Sequence, residues 1–169
     1  MTDSILNGKC ILAVDDEPDI LEVLAEEILA ESPDCKFDGA TTFEEGVEKL
    51  VSQAYDLAIL DIMGVRGFDL LKRAVNRGIP AIMLTAHSLS PNAMKESFEL
   101  GARGYIPKDK LGEIVPFLED VMQYENLPGG GIYDNLREYF NERWGKYWQK
   151  PEERFWREFE GKVGQKKDS

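Results

Sequence analysis

The chain has one histidine, two cysteines and no long apolar run in its 169 residues. With so little sulfur and imidazole it offers no His/Cys metal cluster. Cys10 and Cys35, both in strand-like stretches, read as small buried side chains of a reducing compartment rather than as a disulfide. No apolar run approaches the length needed to span a bilayer, and the N-terminus lacks a basic region followed by an apolar core. A cytoplasmic protein without a membrane segment is therefore expected. Basic charge is also scarce: 20 lysines and arginines stand against 32 acidic residues, a net charge of −12. Such a surface repels phosphate backbones and anionic lipids, and no helix-turn-helix with a basic face is visible, which argues against direct nucleic-acid binding. Gly8-Lys9 lacks the preceding glycine loop of a nucleotide-binding P-loop.

The charge is uneven. Residues 1–124 hold 11 basic and 23 acidic residues, whereas 125–169 hold nine of each. That shift predicts two units, one over 1–124 and a C-terminal extension over 125–169.

In the first unit short apolar runs alternate with helical patterns. Lys9 to Val14, Cys35 to Ala40, Leu57 to Leu60, Ile79 to Leu84 and Arg103 to Pro107 read as strands. Pro18 opens a helix with Ile20, Leu21, Leu24, Ile28 and Leu29 on one face. Thr42 and Glu45 form a capping-box pattern for a second helix, expected to bury Val47, Leu50 and Val51. Further helices are expected over about 68–76, 91–100 and 110–124. Five strands alternating with five helices predict a doubly wound α/β fold on a parallel sheet. Ligands of such folds sit beyond the carboxyl ends of the strands. Asp15, Asp16, Asp61, Thr85 and Lys108 all fall at such ends.

Three carboxylates in one cleft repel each other, and a hard cation such as Mg²⁺ relieves the conflict. Asp15-Asp16 alone would read as a helix cap. Joined by Asp61 from another strand, the pair reads better as a metal site. A carboxylate can act as nucleophile and form an aspartyl phosphate, with catalysis supplied by positioning and charge. Lys108 could hold one phosphoryl oxygen, and the Thr85 hydroxyl or the Ala86 amide another.

With those residues in view, the chain resembles the receiver domain of two-component response regulators over about residues 8–124. The motifs are Val14-Asp15-Asp16-Glu17, Leu60-Asp61-Ile62-Met63, Leu84-Thr85-Ala86-His87 and Gly101-Ala102-Arg103-Gly104-Tyr105-Ile106-Pro107-Lys108. The resemblance implies a flavodoxin-like sheet in the order 2-1-3-4-5. It implies that Asp61 accepts a phosphoryl group from a histidine kinase or histidine phosphotransfer protein. It further implies that Asp16, Asp61 and the Met63 backbone carbonyl bind Mg²⁺ with help from Asp15, and that Lys108 and Thr85 contact the phosphoryl group. Tyr105 would then swing inward, and the face of the fourth helix, fifth strand and fifth helix would change its affinity for a downstream protein target. On this reading the chain is a stand-alone receiver, no enzyme beyond its own phosphorylation and dephosphorylation.

Met63 and His87 occupy the positions where such domains tune phosphoryl lifetime. Met63 cannot orient water, so slow autodephosphorylation is expected. His87 could equally be a surface residue opening a helix. Two departures stand out: Gly64-Val65-Arg66-Gly67 shortens the loop after Asp61, and Asp109 replaces the usual proline after Lys108. Two other functions compete. A pseudo-receiver would keep the fold and act as an interaction module without phosphate. A phosphatase similar to the haloacid dehalogenases would need an aspartate where Met63 stands.

The extension matches no usual output domain. Leu127-Pro128-Gly129-Gly130-Gly131 reads as a break. Ile132, Leu136, Phe140, Trp144 and Trp148, four residues apart, predict one amphipathic helix, and Pro151 opens another carrying Phe155, Phe159 and Val163. Nine of the 17 aromatics lie here. They must bury somewhere, either on the chain's own receiver or in a homodimer or partner interface.

Overall fold

The computed structural model describes residues 4–86, 90–123 and 133–168. His87, the break at 127–131 and Ile132 lie outside the described residues, as does the side chain of Val163. Strands β1 (Cys10–Val14), β2 (Lys36–Ala40), β3 (Leu57–Asp61), β4 (Ala81–Thr85) and β5 (Gly104–Pro107) form one parallel sheet in the order β2-β1-β3-β4-β5. Between them run α1 (Pro18–Glu31), α2 (Phe43–Ser52), α3 (Gly67–Asn76) and α4 (Pro91–Glu99), and α5 (Ile114–Gln123) follows β5. Every residue of β3 and β4 is buried, so both faces of the sheet are covered and the strands show no polar alternation. α1 packs beside α5, and α2 beside α3.

Local signals hold in several places. Thr42 Oγ1 accepts the Glu45 amide at 3.1 Å, and Glu45 Oε1 accepts the amide of Thr41 rather than that of Thr42. Other expectations need correction. Val51 is 57% exposed and Leu29 is 38% exposed, because each lies about 100° around its helix from the buried Leu50 or Ile28. The helix expected over 110–124 is divided: a 3₁₀ segment covers Lys108–Glu113, and α-helical geometry begins only at Ile114.

Beyond α5, α6 (Tyr133–Trp144) ends where Gly145 takes a positive φ of 83°. Trp148 therefore lies past the helix, contrary to the single helix expected through it. It folds back so that its indole N–H donates to Asn141 Oδ1 at 2.9 Å. A 3₁₀ turn at Lys150–Glu152 leads into α7 (Glu153–Asp168). The two helices pack on the chain's own α/β unit. Phe140, with no exposed surface, meets Tyr105 of β5 at 6.0 Å between ring centroids, and Phe159 meets Phe98 of α4 at 4.4 Å. Trp144, Trp148, Trp156 and Phe155 close the ring between them. None of the described helices is long and apolar enough to cross a membrane.

Candidate functional site

Sheet register brings the reactive residues to one rim. Val14 pairs with Leu60, Asp61 with Leu84, and Thr85 with Pro107. The residue after each strand end thus emerges at the same level, which puts Asp15 and Lys108 beside Asp61. Parallel strands held by evenly spaced hydrogen bonds leave little freedom in this alignment.

Carboxylate oxygens of Asp15, Asp16 and Asp61 lie within 4.8 Å of one another. Asp15 and Asp61 are buried and Asp16 is exposed. Lys108 Nζ stands 2.9 Å from Asp15 Oδ2, 3.4 Å from Glu17 Oε1 and 3.5 Å from Asp61 Oδ1. Asp15 Oδ1 accepts the Glu17 amide at 2.9 Å. Neither aspartate of the pair caps α1, whose N-cap position is Glu17 and carries no side-chain bond. The capping alternative for Asp15-Asp16 is therefore not what the fold adopts.

The electrostatics follow from burial. Desolvation pushes the Asp61 carboxyl up to about 7; Asp15 adds to the rise and Lys108 opposes it. Burial also raises Asp15, against the Glu17 amide and Lys108, which both pull it down. For Lys108 burial favours the neutral amine, but its contacts with Asp15, Asp61 and Glu17 outweigh that and leave its pKa raised. One ammonium thus serves two buried carboxylates and an exposed one.

The donor set suits a hard divalent cation. All the candidate ligands are oxygens, and the buried Asp15 Oδ2 is neutralised by Lys108 at 2.9 Å. The short segment after Asp61 shapes the same corner. Gly64 has φ of 83°, and a Cβ built on it would lie 2.5 Å from Asp16 Oδ2. Gly67, at the start of α3, leaves no room for a side chain against the Asp61 backbone carbonyl. The shortened loop is thus closed on the site by two glycines. The Met63 side chain is 63% exposed beside it.

Thr85 is fully buried at the end of β4. Its side chain hydrogen-bonds the hydroxyl of Tyr105, which also meets the Ser90 backbone, and burial drives the Tyr105 phenol pKa upward. Tyr105 is 2% exposed, already turned inward. Asp109, in place of the usual proline, accepts hydrogen bonds from Tyr139 at 2.8 Å and Arg143 at 3.0 Å, both on α6. No cis peptide occurs among the described residues.

Asp15, Asp16, Asp61 and Lys108 therefore lie together, and Thr85 ends the strand next to that of Asp61. Glu17, Gly64 and Asp109 were not read as site residues. Glu17 belonged to a quoted motif, and the two glycines flanking Val65-Arg66 hinted at close approach. Asp109 had no local signal, because its partners lie 30 and 34 residues away.

Residues 11–118 match the response regulator receiver domain. The transcriptional regulatory protein DltR of Streptococcus agalactiae is 37% identical over 105 residues, covering 58% of this chain and 44% of that protein. The phosphate regulon transcriptional regulatory protein PhoB of Pseudomonas aeruginosa is 35% identical over 107 residues, covering 60% and 45%. The chain spans less than half the length of these relatives. A CheY-like response regulator receiver domain protein from Methanospirillum hungatei superposes with a TM-score of 0.57 at 29% identity, covering 69% of this chain and 98% of that one. With the strand order, the acidic corner and a match over most of the α/β unit in agreement, this chain belongs to the response regulator receiver family.

Proposed function

We propose that the chain is the phosphoacceptor of a two-component phosphorelay and that Asp61 carries the phosphoryl group. The observation that carries this reading is the triad of Asp15, Asp61 and Lys108. It sets a single ammonium within 3.5 Å of both a buried nucleophilic carboxylate and a second acid. A structural ion pair would need only one carboxylate per ammonium. The surplus negative charge suits a site built for a cation and a transferred group.

In the proposed step an Asp61 oxygen attacks the phosphorus of a phosphohistidine on a histidine kinase or phosphotransfer protein. The P–N bond breaks, its electron pair stays on the imidazole nitrogen, and that nitrogen takes a proton from water. Mg²⁺, when bound by the carboxylates of Asp15, Asp16 and Asp61 and the Met63 carbonyl, supplies positive charge to the phosphoryl oxygens. Lys108 neutralises a further oxygen, and the Thr85 hydroxyl and the Ala86 amide are the neutral donors next in reach. Ala86 leaves access to Asp61 open. Met63 offers no group to orient a hydrolytic water, so the phosphoryl group is long-lived, with His87 a second candidate for tuning it. The chain turns over only its own phosphoryl group. It works in the cytoplasm, where kinase and target are met, and signals by protein contacts.

The test is incubation with Mg²⁺ and acetyl phosphate. A mass gain of one phosphate, absent in Asp61→Asn, is expected. No gain with several donors would leave the pseudo-receiver reading in its place.

A further inference from the structure

We infer that Arg66 is a positioning residue of the acidic corner: stacked on Phe43 of α2 and bonded to Asp69 of α3, it fixes the loop after Asp61 and with it the Met63 carbonyl and the backbone that abuts Asp16. This deepens the phosphoacceptor reading and rests on the corner being a cation site.

Arginine is doubly ill-suited to its position. Arg66 has φ of 54° and ψ of 55°, and among the described residues it is the sole non-glycine with a positive φ. A side chain makes that conformation costly, and glycine would adopt it freely. Arg66 is also the N-cap residue of α3, where a cation opposes the helix dipole and no side-chain cap is formed. Neither backbone nor helix end explains the residue, so its side-chain contacts must. Its Nε and Nη2 donate to Asp69 Oδ2 at 3.0 and 2.8 Å. Its guanidinium lies 4.1 Å from the centre of the Phe43 ring, with that of Arg73 at 5.8 Å from the same ring. The ion pair alone, an exposed arginine and a half-buried aspartate three residues apart, would contribute little. Stacking on a ring of another element adds the missing constraint. That ring is itself well placed, because Phe43 opens α2 directly after the Thr42 cap.

The loop so held carries part of the site. The Gly67 amide donates to the Ile62 carbonyl at 3.1 Å, which closes residues 62–67 into one turn. On its inner side Val65 has no exposed surface and plugs into the core. Gly64 lies against the Asp16 carboxylate. Arg66 fastens the outer side to α2, and a strained backbone persists where its surroundings fix it from both sides in this way. Freed from Phe43, Arg66 can leave the left-handed region. The peptide groups around it then turn, Gly64 no longer backs Asp16, and the Met63 carbonyl loses its fixed direction. Asp15, Asp61 and Lys108 stand at the ends of β1, β3 and β5 and stay in place. The clamp therefore acts on cation affinity rather than on the presence of the acids.

Manganese(II), which takes oxygen ligands as Mg²⁺ does, is the probe, and the EPR signal of the free ion measures its binding to the full chain. Arg66→Gly keeps the left-handed backbone and removes the clamp, so affinity should fall about fivefold, the size of one stacked cation. Phe43→Leu should lower it about threefold, and Phe43→Tyr, which keeps the ring face, should stay within about 1.5-fold of the parent. Adding Phe43→Leu to Arg66→Gly should weaken binding no further, because both act through one contact. The metal-free Arg66→Gly protein should melt within about 3 °C of the parent. A loss of affinity accompanied by a fall of more than about 8 °C would assign Arg66 to folding and overturn the proposal. Unchanged affinity in Arg66→Gly, in a protein that binds manganese and is labelled at Asp61, overturns the clamp and leaves the phosphoacceptor reading intact. A parent protein that binds no manganese overturns the clamp and the cation site together. If Phe43→Leu does not fold, Arg66→Gly decides the question.

Discussion

Lys108 Nζ lies 3.5 Å from Asp61 Oδ1 and closer still, 2.9 Å, to Asp15, so a single ammonium holds together two buried acids that would otherwise repel. Lys108→Met keeps much of the side-chain length and removes that charge. Labelling of Asp61 by acetyl phosphate, followed by mass spectrometry, should slow by about 10²-fold, the loss typical of one charge-stabilising group. The metal-free protein should also lose stability, because both carboxylates would be left buried without their cation. A labelling rate within twofold of the parent would rule out Lys108 as a phosphoryl contact.

Magnesium affinity should depend steeply on pH. Metal-free Asp61 titrates at about 7, so below that pH the ion must displace a proton before the carboxylate can ligate. Apparent affinity should fall about fivefold as pH drops from 7 to 6, and level off above 8. Calorimetry in two buffers of different ionisation enthalpy will show the released proton near pH 7. Proton-independent binding at that pH would contradict the assignment of Asp61 as a ligand.

Folding stability of the metal-free protein should move the other way. Asp61 goes from an ordinary value of 3.8 in the unfolded chain to about 7 in the folded one. The folded state therefore binds the proton more tightly. That contribution is fully present below about pH 4 and is lost as pH rises through 7. Asp15, raised as well, adds in the same direction. Asp61→Asn should consequently stabilise the protein at pH 8, on the order of 2 kcal/mol, and by clearly less at pH 5. Thermal unfolding at the two pH values checks this, and an equal gain at both would count against it.

Gly64 offers a test that alters no charged group. Its positive φ and the nearness of Asp16 leave no room for a methyl group, so Gly64→Ala should push the Asp16 carboxylate off the acidic corner. Magnesium should bind at least tenfold more weakly, with a folding cost of about 1 kcal/mol from the strained backbone. Unchanged magnesium binding in the folded variant would show that Asp16 is not a ligand.

Much of this molecule was legible locally. Asp15, Asp61, Thr85 and Lys108 could be placed together because each ends or directly follows an apolar run too short for a helix, and parallel strands share one carboxyl-terminal rim. The capping of α2 by Thr42 and the covering of β3 and β4 on both faces follow from neighbours in the chain. The extension was legible only as aromatic and helical. A spacing of four residues carries straight through Trp148, and the one local hint that the helix stops before it is Gly145.

The sequence by itself determined which groups reach the rim, because strand ends and side-chain chemistry are short-range properties. Which surface Phe140, Trp148, Trp156 and Phe159 of the extension cover was decided only by the tertiary structure, as was the part Asp109 plays. Those contacts join residues tens of positions apart, and their energy comes from burying one shape against another, a quantity that no local pattern of residues encodes.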